Sequence, residues 1–182
     1  MQFTNYVSHL EDIGFIESIL SSQPLDTLFA QISAILVNFQ DSEPIHNTFV
    51  FIRDVCLIAP HHLPSAKQFH DNIRDSIVRD ALEKCLQASD SAIRSEAAYT
   101  LGKIGSTQSL SALWTGLWHA AEHDPLALDS LIFEIGWLEG IAQQTSQLSV
   151  FFQQIPQYHN SITRWAIASI LRDRQYSNIV LQ

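Results

Sequence analysis

The feature that most constrains this chain is a pattern that returns 34 residues later in its C-terminal half. The segment IRSEAAYTLGKIG at residues 93–105 aligns with a second segment that ends LIFEIGWL at residue 138. The paired positions are Leu101 with Ile135, Gly102 with Gly136, and Ile104 with Leu138. A third, weaker copy has its apolar and small residues at Ile162, Ala166, Ile167 and Ile170. A fixed period of this length is typical of a repeat architecture, in which each unit buries its apolar face against its neighbours.

Helical spacing of apolar residues runs through nearly the whole chain, and proline and glycine fall at intervals that suit helices of about ten to twenty residues. The predicted N-terminal helices are about residues 3–20, 24–40, 44–60 and, as one longer helix, 65–88. The pattern therefore predicts an all-α protein.

Several residues near the repeats are suited to begin or end a helix. Asp90 and the pair Asp124-Pro125 are suitable starts, because a side-chain carboxylate can accept from free backbone N–H groups and proline fits the first helical position. Gly105 is a suitable helix end. The intervening segments 106–123 and 145–155 are each long enough to be the second helix of a pair.

Length and composition favour one compact soluble domain, with 182 residues of which 46% are hydrophobic. No apolar run approaches the roughly 18–20 residues that span a bilayer, and the N-terminal segment MQFTNYVSHLED carries no Lys or Arg. We therefore expect no membrane span and no secretory signal, and a cytoplasmic location. Cys56 and Cys85 are expected to be reduced residues of the core.

The chain is acidic, with a formal net charge of -9. Residues 1–52 and 104–163 contain acids but no Lys or Arg at all. Nucleic-acid binding needs clustered Lys and Arg that displace counterions from phosphates, and no such stripe is present. The charge pattern therefore argues against a nucleic-acid partner. Four Arg-Asp pairs, which begin at residues 53, 74, 79 and 172, either form ladders between repeats or lie on the solvent-exposed side.

The sequence IRSEAAYTLGKIG, followed by Ser106-Thr107 and a leucine-rich helix, resembles a HEAT repeat of the short bacterial type that occurs in phycobilisome bilin-lyase proteins. Tetratricopeptide repeats share a 34-residue period. Their first helix is longer, however, and here the turn at Gly105 follows too soon after Leu101-Gly102. The resemblance implies a short right-handed α-solenoid of about five antiparallel helix pairs.

The resemblance is uneven along the chain, which we treat as a single domain over residues 1–182. It is recognisable over residues 89–173, and residues 174–182 form a C-terminal tail. Residues 1–88 are either degenerate repeats or an N-terminal helical cap. The sequence leaves both alternatives open.

Aromatic residues at outward positions of the repeat are the first candidate site. Tyr99 and Lys103 occupy outward positions of one repeat, and Phe133 and Trp137 occupy the same positions of the next. Large apolar side chains that point outward tend to mark an interface. Alternatively, another part of the chain, such as residues 175–182, covers them.

A second candidate lies on the following helix, which in HEAT pairs lines the concave face. Trp118 falls at the margin of the apolar stripe formed by Leu110, Leu113 and Leu117. It is either a partner-binding residue or part of the packing between adjacent repeats.

A third candidate is the segment His119-Ala120-Ala121-Glu122-His123, which matches the H-x-x-E-H spelling of inverted zinc proteases. In such a site His119 and His123 would hold the metal and Glu122 would activate water. The segment lacks an obvious third ligand, and histidine is in any case favourable near a helix C-terminus.

Together these observations predict a non-enzymatic protein-protein interaction module or scaffold whose partner is another protein or a second copy of the chain. We expect no catalytic residue and no cofactor, since no glycine-rich phosphate loop or nucleophile elbow is present. Two alternatives stay open. The resemblance implies a bilin lyase or chaperone-type subunit that acts on phycobiliproteins, and the H-x-x-E-H segment implies a metal-binding helical protein.

Overall fold

The computed structural model describes residues 13–38, 42–58, 63–123, 127–142 and 147–153. Within these residues all regular secondary structure is helical. The α-helices are α1 (Ile13–Ser21), α2 (Leu25–Leu36), α3 (Ser42–Ile58), α4 (Pro64–Ile73), α5 (Ile77–Cys85), α6 (Ser91–Ile104), α7 (Leu110–His123), α8 (Leu128–Ala142) and α9 (Leu148–Gln153). A single 3-10 turn, Thr107–Ser109, precedes α7. The prediction of an all-α protein is confirmed for the described part of the chain.

The helices pack in two adjoining rows. In the first row α6 lies between α3 and α8, and α4 packs against α3 and α1. In the second row α5 packs against α2, and α5 also contacts α6 of the first row. The helix α7 packs against α8, and α9 continues from α8. This arrangement is the expected consequence of a repeat in which successive first helices lie side by side.

The core between the rows is apolar and rich in phenylalanine. Phe69 of α4 is fully buried and makes edge-to-face contacts with Phe29 of α2 and Phe51 of α3, with ring centroids 5.2 and 5.9 Å apart. Cys56 and Cys85 are free thiols buried in the same core, as predicted. Burial raises the pKa of both thiols to about 12, because the low-dielectric interior disfavours the thiolate.

The boundaries of α6 follow directly from its sequence. The Asp90 carboxylate accepts a hydrogen bond from the backbone N–H of Ala92 at 2.7 Å, which confirms Asp90 as the N-cap. Gly105 ends the helix with φ +69°, a left-handed conformation that favours glycine because it has no Cβ. The predicted helix start at Asp124-Pro125 lies outside the described residues.

The prediction of one long helix over residues 65–88 is wrong, because the structure has a turn at residues 74–76 between α4 and α5. Ser76 starts the new helix, since its Oγ accepts from the backbone N–H of Val78 at 3.1 Å. The turn also bonds to the next repeat. Arg74 Nε donates to the Ile104 carbonyl at 3.0 Å, and Ser106 Oγ donates to the Arg74 carbonyl at 3.3 Å. These bonds favour a break over a continuous helix. The predicted second helix also ends earlier than residue 40, at Leu36.

The arginines of the described Arg-Asp pairs form bonds to segments further along the chain. Arg53 of α3 forms an ion pair with Glu96 of α6. Arg79 of α5 donates a hydrogen bond to Gln108 in the turn before α7. With the Arg74 bond to Ile104, these contacts favour the interpretation of ladders between repeats. The pair that begins at residue 172 lies outside the described residues.

Candidate docking surface

Tyr99 lies on the outward side of α6, where 38% of the residue is exposed. Two cations flank its ring: Arg53 Cζ is 5.1 Å and Lys103 Nζ is 4.7 Å from the ring centroid. Such cation-π contacts are favourable because the ring face carries partial negative charge. Arg53 is further held by its ion pair with Glu96. The neighbouring side chains therefore hold Tyr99 in place while leaving much of it accessible.

The next helix of the row, α8, presents Trp137, which is 58% exposed. Phe133, one turn earlier, is half-buried. Leu128, Leu131 and Ile135 are buried on the other side of the helix, as the repeat register predicts. The structure therefore places Tyr99, Phe133 and Trp137 on the outward sides of two adjoining helices.

Two close contacts fix the position of α8 against α6. Ser95 Oγ and Ser130 Oγ are 2.7 Å apart and share a hydrogen bond. Further along, the buried carboxylate of Glu134 packs where Gly102 has no side chain, so that a Cβ at residue 102 would overlap it. Gly102, which has no side chain, lets a neighbouring helix approach closely. The structure shows that it does so by admitting a glutamate.

Two further exposed residues extend this surface and were missed in the sequence analysis. Ile141 follows Trp137 by one turn of α8, and Leu57 follows Arg53 by one turn of α3. The spacing of four residues from Trp137 could have indicated Ile141. No pattern indicated Leu57, because α3 lies outside the clear repeats. We call the five residues Leu57, Tyr99, Phe133, Trp137 and Ile141 the outer aromatic face.

Trp118 does not belong to the outer aromatic face, because it lies on α7. It is 39% exposed and forms a cluster with Trp114 and the fully buried Phe151 of α9. The Trp118 and Phe151 ring centroids are 5.0 Å apart in an edge-to-face arrangement. This contact supports the alternative of packing between adjacent repeats. The part of Trp118 that stays exposed keeps the partner-binding prediction open.

Of the three residues of the predicted metal site, the structure describes the side chain of His119 alone. His119 is an exposed residue of α7, whereas the side chains of Glu122 and His123 lie outside the described part. Among the side chains that the structure does describe, no three His, Cys, Asp or Glu residues are grouped so as to hold a metal ion. Zinc binding by His119, Glu122 and His123 therefore stays a prediction.

Comparison with known protein families agrees with the repeat that the helices display. Residues 68–132 match HEAT repeats. The matched HEAT segment runs from the middle of α4 to the first turns of α8 and includes all of α5, α6 and α7. It begins within residues 1–88, for which the sequence leaves degenerate repeats and an N-terminal helical cap as alternatives. No curated protein and no solved structure matched the chain significantly.

HEAT repeats generally mediate protein-protein interactions through their extended surfaces. As for membranes, none of the helices in the described ranges combines the length and the apolar character that crossing a bilayer requires.

Proposed function

We propose that this chain is a non-enzymatic protein-protein interaction module that docks another protein on the outer aromatic face. The observation that carries the proposal is the exposure of Trp137, of which 58% is accessible. Trp137 lies on α8, which packs against α6, and α6 belongs to the matched HEAT segment and carries Tyr99 on its outward side. Contiguous exposed apolar residues on a folded protein tend to mark an interaction site. Tryptophan and tyrosine are also the residues that most often supply binding energy at interfaces.

The charges around the face suit a protein partner. Tyr99 presents an aromatic ring flanked by Arg53 and Lys103, so an approaching chain meets apolar area and hydrogen-bond donors together. Interfaces typically combine an apolar centre with a polar rim in this way. On this proposal Trp137 and Ile141 belong to the centre and Lys103 to the rim.

An intramolecular alternative makes a different prediction for stability. If another segment of the chain, such as residues 175–182, covers Trp137, its replacement by aspartate destabilises the monomer. If Trp137 is a docking residue, Trp137→Asp changes the free energy of unfolding by no more than about 0.5 kcal/mol, as for other exposed substitutions. Thermal unfolding followed by circular dichroism distinguishes the two.

The binding test is an affinity pull-down from lysate of the native host, with quantitative mass spectrometry. Trp137→Asp is compared with Ile77→Asp, because Ile77 is a similarly exposed apolar residue on α5, in the other row. A partner that is retained by wild type and Ile77→Asp but lost with Trp137→Asp supports the proposal. We expect a loss of about 2 kcal/mol, roughly thirtyfold in affinity, for an interface anchor. Equal retention by both variants would refute it.

The same variants test the homodimer form of the proposal. Sedimentation equilibrium of the wild type should then show a dimer that dissociates with Trp137→Asp and persists with Ile77→Asp. The bilin-lyase or chaperone alternative stays a prediction from the resemblance, and visible absorbance of the captured partners tests it.

A further inference from the structure

The outer aromatic face surrounds a cation that no carboxylate of the described ranges pairs with. Lys103 lies in the last turn of α6, four residues after Tyr99, and its Nζ is 4.7 Å from the Tyr99 ring centroid. Arg53, the other cation beside that ring, is paired with Glu96. Lys103 has neither an ion pair nor a hydrogen bond to any described residue. The N–H donors of its ammonium group are therefore available to a partner.

Most other bases in the described part of the chain donate to carboxylates or carbonyl oxygens of the protein itself. These are Arg53, Lys67, Arg74, Arg79 and Arg94. The exception is Lys84, which is exposed on α5 in the other row. Only Lys103 therefore places an unpaired positive charge among the exposed apolar side chains of the outer aromatic face.

Tyr99 adds a second donor at the same point. The residue is 38% exposed, and its hydroxyl makes no hydrogen bond to the described residues. Tyr99 and Lys103 are one turn apart on α6, so both project from the same part of the helix. A partner group that accepts hydrogen bonds can therefore be bound by both side chains at once.

Two carboxylates lie close to this point, and neither forms an ion pair with Lys103. Glu96 pairs with Arg53, and Glu134 is buried against Gly102 between α6 and α8. A partner that approaches from solvent therefore meets the ammonium group on α6 and the exposed apolar residues on α8. Packed helices are about 8–10 Å apart, a distance that about three residues of an extended segment cover. One short segment can contact both.

We infer that the partner of the outer aromatic face presents an aspartate or glutamate to Lys103, beside apolar side chains that contact Trp137 and Ile141. This inference rests on the proposed function, since it names the chemistry of the partner bound at that same surface. A carboxylate supplies the acceptor that Lys103 and Tyr99 lack, in a charge-assisted hydrogen bond. A basic residue there would bring two like charges together, so the lysine also discriminates between partners.

The charge of the rest of the chain makes this contact selective. With a formal net charge of -9, most of the protein surface repels an acidic segment. Complementary charge fixes where and in which orientation a partner docks more than it raises affinity. An acidic segment is therefore directed to the one part of the outer aromatic face that carries positive charge.

The test selects ligands from a displayed library of random dodecapeptides on the immobilised full chain. Peptides that also bind Trp137→Asp are removed, so that the remaining peptides are those that need the outer aromatic face. We expect these peptides to contain Leu, Phe or Trp together with Asp or Glu, with the two acids enriched about twofold or more over the starting library. The selection is repeated on Lys103→Gln and on Lys84→Gln, the matched control on α5. The enrichment of acids should disappear with Lys103→Gln and persist with Lys84→Gln.

A titration then measures the contact. The most enriched acidic peptide is synthesised in two forms, one as selected and one in which each acid is replaced by its amide. The wild type and Lys84→Gln should bind the amide form about threefold more weakly, and Lys103→Gln should bind both forms equally. Sodium chloride at about 0.5 M should remove most of the difference, because it screens an exposed ion pair. Equal binding of the amide form by wild type and Lys103→Gln shows that the variant keeps its fold.

The outcomes separate this inference from the docking proposal. Peptides that need Trp137 but show no enrichment of acids would overturn the inference and leave docking on the outer aromatic face intact. The same conclusion follows if acids are enriched equally with Lys103→Gln, or if Lys84→Gln loses the enrichment as well. If no peptide depends on Trp137, the docking proposal fails, and this inference fails with it.

Discussion

Replacing Gly102 by alanine should destabilise the protein, although alanine is the better helix former. Gly102 lies inside α6, and the Cγ, Cδ and Oε2 atoms of Glu134 from α8 fill the space that a Cβ would occupy. Glu134 is buried, so its carboxyl group has no open solvent beside it to move into. The added methyl therefore forces either a changed glutamate rotamer or a wider spacing of α6 and α8.

Two opposing terms set the magnitude. Alanine in a helix interior is favoured over glycine by about 1 kcal/mol. Overpacking a well-filled core is unfavourable by about 1–3 kcal/mol. The net expectation for Gly102→Ala is a destabilisation of about 1 kcal/mol, which lowers the Tm by about 2–4 °C in a chain of this length.

A double-mutant cycle with Glu134→Ala isolates the contact. With the glutamate shortened, the overlap disappears and only the helix preference remains, so Gly102→Ala should now stabilise by about 1 kcal/mol. The coupling between the two sites is then about 2 kcal/mol, which is within the range for residues in direct contact. Urea unfolding of the four proteins, followed by far-ultraviolet circular dichroism, measures it.

Gly140→Ala supplies the matched control on α8. A Cβ at residue 140 meets no atom within 4 Å, so this variant should stabilise by about 0.5–1 kcal/mol through helix preference alone. If Gly102→Ala stabilises the wild type as much as Gly140→Ala does, the close approach of α6 and α8 through Glu134 is wrong.

Three further results are expected. Ser76→Ala should lose about 1 kcal/mol in urea unfolding because it removes the N-cap of α5, and Ser76→Asp should retain most of the stability. Gly105→Ala should lose about 1 kcal/mol by the same measurement, because its φ of +69° is strained for alanine, and an unchanged midpoint would contradict the left-handed cap. Cys56 and Cys85 should react with iodoacetamide near neutral pH only as fast as the chain unfolds, since burial raises their pKa to about 12. As pH rises above the ordinary thiol pKa of 9.0, the unfolded state loses these protons first, so the free energy of unfolding should fall, and less so in Cys85→Ala.

The sequence predicted the ends of α6 and the outward residues of α6 and α8, because capping residues and the repeat pattern indicate the same helices there. Asp90 and Gly105 bound α6 because a capping carboxylate and a left-handed glycine act within one turn of the chain. The outward positions of Tyr99 and Trp137 followed from the same register, since the helical period places them opposite the buried residues of their helices.

Other features depend on contacts between segments distant in sequence. The break at residues 74–76 is stabilised by the bond from Arg74 to the Ile104 carbonyl, 30 residues away, and the apolar spacing on either side is compatible with one continuous helix. Serine at residue 76 is a residue type that favours a helix start.

The bonds between the turn at residues 74–76 and the turn before α7 have a consequence for how the chain tolerates change in length. Surface turns commonly accept insertions because few contacts depend on them. Here Gln108 Nε2 donates to Asp75 of the first turn at 2.7 Å, in addition to the bonds of Arg74, and Ser109 Oγ donates to Glu83 of the following helix α5 at 2.7 Å. An extra residue in either turn would shift the donors of one away from the acceptors of the other. These two turns are therefore poor places for a tag or a grafted loop, although both lie at the surface.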